Sequence, residues 1–499
     1  MNKVKTSRIL FSIIIATALL FSGCARNINK PAAQKWVSSS HDHLWVPSTE
    51  NKTRIIGSDK KTDIPDELIK PGQKWQLIDI IEVALRNNPQ TMSAWHAACA
   101  AYSDYKSKKG DYYPRIDATA YLIQSEKLTK ETITDRTFKS FEPSMELTWL
   151  LFNFGGRKAA VEEKRLALFA ANFGQNNVIQ NAVYKVIETY FQYANAKALV
   201  KAQGTSFNEA ITALKAAQER HKNGLATIAD VLLAQTALSQ AKLNLESIQG
   251  TVNTIRGALA TAMGIPANTP YDIEDLPLNP PVDRAKEEVD AYIKTAMERR
   301  PDLAAQRSKA EQAMAHIKAV RSSLYPNIVL GNSLEGSLYD LTHEWQSRDT
   351  TALIVSVPVF KGFSRQYDVL KSVEDAKAQK SQLESLEQAV ILEVWTSYFD
   401  LNTSEQRVKT SNDLQTSAKK SYEVSLGRYK EGVGGFLDLL AAQSILEKAR
   451  AQWVEAQATW YISISKLARA TGTLWSSNRK DKENILDIFP TTIVKEPKK

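Results

Sequence analysis

Residues 222–232 read Lys-Asn-Gly-Leu-Ala-Thr-Ile-Ala-Asp-Val-Leu and lie between two long stretches of helical periodicity. Residues 430–440 read Lys-Glu-Gly-Val-Gly-Gly-Phe-Leu-Asp-Leu-Leu and occupy the same place between two similar stretches. At one constant offset, Gly224 corresponds to Gly432 and Asp230 to Asp438. The chain therefore contains one unit twice, and such a repeat must be recognised before domains are counted.

The correspondence continues in both directions without insertions over long distances. Matched pairs at the same offset are Phe152 and Phe360, Arg157 and Arg365, Tyr190 and Tyr398, and Gly264 and Gly472. Upstream, at a slightly longer offset, Tyr113-Pro114 matches Tyr325-Pro326 and Pro89 matches Pro301. A length of 499 residues is typical of about three domains, but two interlocked halves fit the repeat better.

Each unit has the same predicted elements in the same order. The first unit (76–275) has a helix from Trp75 to Gly110, a β-hairpin (115–152), a long helix (157–222) and a return helix (228–263). The second unit (276–475) has a helix (289–324), a β-hairpin (327–360), a long helix (365–430) and a return helix (436–472). A proline-containing extended segment (24–75) precedes them, and a C-terminal tail (476–499) follows.

The lengths of these elements predict the architecture. Apolar residues alternate along both hairpins, whose strands of about ten residues have the length that a tilted strand needs to cross a bilayer. Apolar residues in the long helices recur at coiled-coil spacings, and each long helix has a length of about 100 Å at 1.5 Å per residue. Each return helix is about half as long, so two half-length helices stacked end to end match one long helix.

The N-terminus has the pattern of a secretory signal. Lys3, Lys5 and Arg8 precede an apolar run that ends in Leu20-Phe21-Ser22-Gly23-Cys24, a run too short to span a membrane as a mature helix. The last five residues resemble the lipobox of bacterial lipoproteins. We therefore expect a lipoprotein signal peptide at 1–23 and acylation, with palmitate among the chains, at Cys24; a plain secretory signal is the alternative.

The composition argues against several other classes of protein. The net charge of +9 is spread along the helices rather than clustered with aromatic residues, which argues against nucleic-acid binding. The six histidines show no metal-ligand spacing beyond the weak pair His41 and His43. There is no phosphate-binding loop and no Gly-x-Ser-x-Gly elbow, so we predict no enzyme, no cofactor and no metal. Cys99 is interpreted as a small buried residue.

Four strands per chain cannot form a closed membrane barrel. Unpaired backbone groups in hydrocarbon cost several kcal/mol each, and single-chain barrels begin at about eight strands. Several chains must therefore share one barrel. Two chains would give a narrow barrel of eight strands, and three would give twelve strands with room for a pore.

The repeat, the hairpins, the Phe154 to Arg157 corner, the two Gly-x5-Asp tips and the lipobox resemble the TolC-like outer-membrane efflux factors, in particular their lipidated branch serving multidrug pumps. The resemblance covers nearly all of 75–472. It implies a mainly α fold with a membrane β-barrel portion: a homotrimeric twelve-stranded barrel in the outer membrane that continues into a periplasmic α-helical tunnel. It also implies an adaptor (membrane fusion) protein at the tips and an inner-membrane transporter, of the RND type, behind it.

The resemblance assigns adaptor contacts to Gly224, Leu225, Asp230, Gly432 and Val433. The residues themselves leave a second interpretation open, in which the glycines permit a positive φ at a reversal and Asp230 and Asp438 cap the returning helices. Both can hold together.

The resemblance also places a pore gate at Arg428, Tyr429, Leu437 and Asp438. A ring of Leu437 would form an apolar constriction and a ring of Asp438 would favour cations; helix packing and capping is the alternative. Family members often carry a further Asp where this chain has Ala441.

The predicted function is a passive exit duct for drugs or other small molecules. The alternatives are the duct of a type I protein-secretion system and, in another class, a periplasmic coiled-coil adaptor lipoprotein.

Overall fold

The computed structural model describes residues 38, 40–44, 64, 73–126, 137–275, 288–339 and 345–474. Within these ranges most of the chain is helical, and one antiparallel sheet forms the β portion. The elements are β1 (Lys74–Trp75), α1 (Leu77–Asn87), α2 (Pro89–Lys109), β2 (Arg115–Glu126), β3 (Thr137–Phe152), α3 (Gly156–Lys222), α4 (Ile228–Ala262), β4 (Asp272–Ile273), α5 (Val289–Arg299), α6 (Pro301–Ser322), β5 (Asn327–Tyr339), β6 (Trp345–Ser356), α7 (Ser364–Lys430) and α8 (Phe436–Ala470). The predicted combination of long helices and antiparallel hairpins is confirmed.

Several predictions fall outside the described residues. These are the signal peptide (1–23), Cys24, most of the extended segment, the connection 276–287 and the tail 476–499. Part of the extended segment lies against α3, where the Gln175 side-chain amide donates to the carbonyls of Ser40 (3.3 Å) and His43 (3.2 Å). No described helix is long and apolar enough to cross a membrane.

The two halves have helices of equal length. Helices α3 and α7 each contain 67 residues, and α4 and α8 each contain 35. At 1.5 Å per residue these are about 100 Å and about 50 Å long. Because each return helix is only about half as long as its long helix, other short helices pack along the long helices as well. Helices α2 and α6 both pack against α3, and α6 also packs against α7.

Both long helices start at a tight corner below the sheet. Before α3, Phe154 and Gly155 have positive φ values (+49° and +84°), and Gly362 and Phe363 do so before α7 (+60° and +61°). Left-handed backbone is unfavourable for a bulky residue, so contacts must hold each corner. The Arg157 guanidinium donates to the carbonyls of Leu150 and Asp111, which joins the end of β3 to the start of α3.

The sheet has the strand order β2-β3-β5-β6, with every neighbouring pair antiparallel. Cross-strand partners lie on one face, and the two faces differ. We call one the apolar face; it carries Ile116, Leu122, Met145, Leu147, Trp149, Leu330, Leu334, Leu353 and Val355. The opposite face is more polar and carries Thr119, Ser144, Glu146, Thr148, Ser333 and Glu335. Strands β2 and β6 each have one neighbour in this sheet.

Two predicted helices are each broken in two, so the expectation of uninterrupted helices at 75–110 and 289–324 is wrong. The breaks lie at Asn88 and Arg300, both extended, and a proline opens the next helix in each case. Proline disfavours helical backbone in the residue before it, which explains both breaks. Smaller differences are that β6 ends at Ser356 rather than at residue 360, and that α6 and α8 end at Ser322 and Ala470.

The glycine that follows each return helix packs closely against the backbone of one helix break. Gly264 and Gly472 have positive φ values (+75° and +74°), and a Cβ on Gly264 would lie 2.5 Å from the Asn87 carbonyl oxygen. In the second half Arg300 reinforces the contact: it donates to the Ala470 carbonyl (3.0 Å) and pairs with Glu393 (2.6 Å) and Asp302 (2.7 Å). Burial alone would raise the pKa of Asp302, but the Arg300 hydrogen bonds and charge outweigh it and hold that pKa below its usual value.

We expect Gly264→Ala to lower the thermal unfolding midpoint of the detergent-solubilised protein. A methyl group there meets backbone atoms that cannot move aside, in a strained left-handed conformation, at a cost of about 1–3 kcal/mol. The matched control is Gly174→Ala in α3, where a Cβ meets nothing within 4 Å and helix propensity predicts a gain of about 0.5–1 kcal/mol. Equal midpoints for the two variants would contradict the close approach of Gly264 to the break.

Candidate functional site

The first tip joins α3 to α4 through a glycine turn. Gly224 has a φ of +75°, and the Leu225 N–H donates back to the Arg220 carbonyl at 2.8 Å. This six-to-one hydrogen bond is typical of a helix that ends at a left-handed glycine. A side chain at position 224 would strain the backbone, so the structural interpretation of Gly224 holds whether or not a partner binds there.

Asp230 caps the returning helix of the first tip. Its carboxylate accepts from the Thr227 N–H (3.0 Å), and the Thr227 hydroxyl accepts from the Asp230 N–H (3.3 Å). This is a reciprocal capping box, which satisfies two helix-end donors. Capping is therefore one role that the structure shows for Asp230.

The second tip has the same turn but lacks that cap. Gly432 has a φ of +83°, and the Val433 N–H donates to the Arg428 carbonyl at 3.0 Å. The residue before α8 is Gly435, so no side chain supplies the N-cap bond. Asp438 is exposed on the first turn of α8. The two aspartates thus occupy equivalent sequence positions but have different surroundings.

Arg220 connects the two tips. Its guanidinium donates to the Tyr429 carbonyl (2.8 Å) and to the Leu225 carbonyl (3.1 Å), and it lies 5.0 Å from the centre of the Tyr429 ring. The sequence prediction missed this residue and chose its repeat counterpart, Arg428, which is exposed and reaches only the Val433 carbonyl at 3.5 Å. The repeat correspondence was the signal that could have identified Arg220.

Tyr429 is buried rather than exposed at the tip. Its side chain is 2% exposed and packs edge-on against Phe436, with ring centroids 5.3 Å apart. Burial, followed by the nearby negative charge of Asp230, raises the pKa of its hydroxyl. In this conformation Tyr429 holds the second tip together, whereas Leu437, at 66% exposure, and Asp438 point away from the packed interior.

Both tips end in exposed apolar side chains. Leu225 and Val433, which follow the two glycines, are 65% and 68% exposed. Ile228 and Leu232 continue the apolar surface along α4. In the part of the chain that is described, no group of three or more His, Cys, Asp or Glu side chains is placed to hold a metal ion. The exposed apolar side chains therefore form a continuous apolar surface at the first tip and an apolar residue at the second.

A family model described as "Outer membrane efflux protein" matches the chain twice, over residues 80–265 and 292–473. The chain belongs to the outer membrane efflux protein family. The two matches cover most of both repeat units, so the resemblance read from the sequence is confirmed. The two tips, at 222–232 and 430–440, lie one in each matched region.

Individual relatives match most of this chain. Protein CyaE of Bordetella pertussis is 26% identical over 405 residues, which cover 80% of this chain and 85% of the relative. The probable efflux pump outer membrane protein TtgC of Pseudomonas putida is 22% identical over 409 residues, 80% of this chain and 83% of the relative. The crystal structure of the outer membrane protein VceC from Vibrio cholerae superposes with a TM-score of 0.70 at 17% identity, covering 79% of this chain and 96% of VceC. The likeness to VceC establishes a shared fold.

We expect Arg220→Ala to accelerate amide hydrogen exchange at both tips, because a single guanidinium ties the Leu225 and Tyr429 carbonyls together. Peptides covering 222–228 and 429–435 should exchange several-fold faster, while peptides from the middle of α3 should not change. Arg428→Ala is the matched control and should have little effect. Equal acceleration by both substitutions, or none by Arg220→Ala, would show that Arg220 does not hold the tips together.

Proposed function

We propose that this chain is one subunit of a homotrimeric outer-membrane exit duct, which passively conducts drugs or other small molecules delivered by a periplasmic adaptor and an inner-membrane transporter. The observation that carries the proposal is the combination of two family-matched repeats with a sheet that has one apolar and one more polar face. Three chains supply twelve strands, with the apolar face toward lipid and the polar face toward a water-filled bore.

The helices extend this bore into the periplasm. Helices of about 100 Å cannot fit within a hydrocarbon core of about 30 Å, and α3 and α7 carry polar and charged residues along their lengths. They form the periplasmic tunnel, with the two tips at its far end. Acylation of Cys24 adds a lipid anchor, since several buried acyl chains make attachment stable at about 0.8 kcal/mol per methylene.

The tips are the docking points for the adaptor. Leu225 and Val433 are the exposed apolar contacts, and Gly224, Gly432 and Asp230 shape the turns that present them. The relative TtgC is a probable efflux pump outer membrane protein, which supports a pump behind the adaptor, and we assign that pump to the RND type. No step in this mechanism requires catalysis by the chain.

The gate is formed by the second tip. Leu437 forms the apolar constriction and Asp438 forms the ring of negative charge, because both side chains are exposed. The Asp230 carboxylate, in contrast, accepts a helix-capping hydrogen bond. Tyr429 and Arg428 support these two gate residues. Tyr429 does so by packing on Phe436 and through the hydrogen bond from Arg220 to its carbonyl. Adaptor binding at the tips competes with these ties and favours the open state.

Asp438→Asn should reduce the preference of the channel for cations. In a planar bilayer with a KCl gradient, the reversal potential should move toward zero because one ring of negative charge at the entrance is removed. Asp230→Asn is the control: it weakens a helix cap and should leave the reversal potential unchanged. An unchanged reversal potential for Asp438→Asn would show that Asp438 does not line the pore.

Deletion of the coding sequence in the native cell should raise susceptibility to small apolar toxicants, and the wild-type chain should restore resistance. Unchanged susceptibility together with loss of one secreted polypeptide would indicate that the cargo is a protein rather than a small molecule. A phenotype in neither assay, from a chain that is correctly inserted in the outer membrane, would contradict the exit-duct proposal.

A further inference from the structure

Four helix ends lie together at one edge of the sheet. Strands β2 and β5 begin, and β3 and β6 end, at this edge, where Asn327 lies opposite Ser356 and Ile328 lies opposite Phe152. Helices α2 and α6 lead into the edge, and α3 and α7 leave it. We call the ten-residue helix ends beside this edge the collar; they are residues 100–109, 156–165, 313–322 and 364–373.

Positive charge is concentrated in the collar. Its four segments carry 11 basic and 4 acidic residues, a net charge of +7. The four ten-residue helix ends at the tips carry 5 basic and 4 acidic residues, a net charge of +1; they are residues 213–222, 228–237, 421–430 and 436–445. Along the sequence the positive charge is divided among distant segments, but the fold brings much of it to one level of the molecule.

Helix stability does not account for the charges at the starts of α3 and α7. The positive end of a helix dipole favours acidic residues, and helices α1, α4, α5, α6 and α8 each have an aspartate in the first turn. Helices α3 and α7 have no acidic residue there and begin with Arg157-Lys158 and with Arg365. Basic side chains beside two positive helix ends favour an anion at this level.

Most acidic side chains of the collar already have a partner within the chain. Three of the four are paired: Asp104 with Lys164 (3.4 Å), Glu162 with Arg165 (2.5 Å) and Glu163 with His316 (3.0 Å). Three basic side chains, in contrast, are exposed and make no ion pair with any described residue: Lys158 of α3, Arg321 of α6 and Lys361 just before α7. These three positive charges are available to an external anion.

Aromatic side chains border the collar on the side of the apolar face. The indole N–H of Trp149, on that face, donates to the Tyr112 carbonyl at 3.1 Å. Phe154 stacks on Tyr325 with ring centroids 5.2 Å apart, and both rings are about half exposed. Tryptophan and tyrosine are enriched where hydrocarbon meets the headgroups of a membrane. The aromatic rings therefore mark the hydrocarbon border if the sheet spans a membrane.

The free charges lie at the depth of lipid headgroups below that border. Lys158 and Arg321 each lie within one helical turn, about 5 Å, of the helix ends at Gly156 and Ser322. The headgroup layer on each side of a hydrocarbon core is about 5–8 Å thick. Lysine and arginine side chains at such a position extend their charged ends to the headgroups while their methylenes lie on apolar surface.

We propose that the collar binds the phosphate groups of anionic phospholipids in the membrane leaflet that faces the periplasm, with Lys158, Arg321 and Lys361 as the free cationic contacts. The inference rests on the proposed function, which places the sheet in the outer membrane and the helices below it. The partner is a lipid rather than a soluble anion because the charges adjoin the apolar face and its aromatic border. A lipid that contacts one basic residue is held about fivefold more strongly than an uncharged one.

Tryptophan quenching by brominated lipid tests this selection. The full-length protein is reconstituted into vesicles of anionic phosphatidylglycerol and zwitterionic phosphatidylcholine, and one of the two lipids carries brominated acyl chains. All variants carry Trp345→Phe, because Trp345 lies opposite Leu338 at the other end of the sheet and would report on the other leaflet. Trp149 then reports which lipid lies next to the collar.

We expect the protein with an intact collar to prefer phosphatidylglycerol by about two- to fivefold at low salt, and to lose most of this preference at high salt, which screens exposed charges. The combined substitutions Lys158→Gln, Arg321→Gln and Lys361→Gln should bring the preference close to one. Lys361→Gln alone, which lies outside every helix, should lower it partially.

The matched control removes the same charge from exposed positions at the tips, by Lys215→Gln, Lys222→Gln and Lys430→Gln, and should keep the full preference. Equal loss in the control would show that net charge, rather than the collar, attracts the lipid. An unchanged lipid preference in the collar variant, together with an altered reversal potential, would place these charges in the bore and overturn the lipid site.

The same measurement separates the collar from the proposed duct. Equal quenching by the two brominated lipids in the protein with an intact collar would overturn the selection of anionic lipid and leave the duct intact. Quenching by neither lipid would show that Trp149 does not lie in a bilayer, and would overturn both the collar site and the membrane placement of the sheet.

Discussion

The unpaired edges of the four-stranded sheet are the constraint on which the rest of the structure depends. Strands β2 and β6 contain 12 residues each and have one neighbour apiece in the sheet. In hydrocarbon every backbone group without a partner costs several kcal/mol, and even in water a long free edge is a site for association. In the proposed barrel, the described sheet of one copy would leave both of these edges without a partner, and assembly of several copies would supply it.

The same requirement continues below the sheet into the helices. Corners with left-handed backbone turn each second hairpin strand into a long helix, and Arg157 and Arg365 fasten these corners to the neighbouring backbone. The two halves of the chain are joined in the sheet, where β3 pairs with β5, and in the helices, where α3 packs against α6 and α8. Val183, Ile187 and Phe191 on α3 are buried there, whereas Ile391, Trp395 and Phe399, their counterparts on α7, are exposed by 39–48%.

Polar hydrogen bonds join the two helical hairpins along their length toward the tips. Going toward the tips, Asn244 of α4 bonds Glu447 of α8 at 2.8 Å, and Arg220 bonds the Tyr429 carbonyl at the end. Hydrogen bonds that involve a charged group are worth about 1.5–3 kcal/mol when buried and less where water reaches them. In the proposed gate, partly exposed hydrogen bonds of this strength would hold a closed state that a docking protein could open.

The sequence predicted those features that depend on local pattern and on the repeat. The offset that matches Gly224 with Gly432 located both tips, and alternating apolar residues located both hairpins. The helix breaks were missed because helical periodicity continues through Pro89 and Pro301, although the prolines themselves were visible. Arg220 was missed, and Tyr429 was assigned to the gate without its burial, because contacts between the halves leave no trace in local periodicity. The different surroundings of Asp230 and Asp438 could have been predicted from the sequence, since Thr227 can cap a helix through its side chain and Gly435 cannot.

Native mass spectrometry of the protein extracted from membranes in mild detergent tests the central claim most directly. The account predicts a mass of three chains, each cleaved before Cys24 and carrying acyl groups. A water-soluble monomer of unmodified chain would contradict the shared barrel and the exit duct.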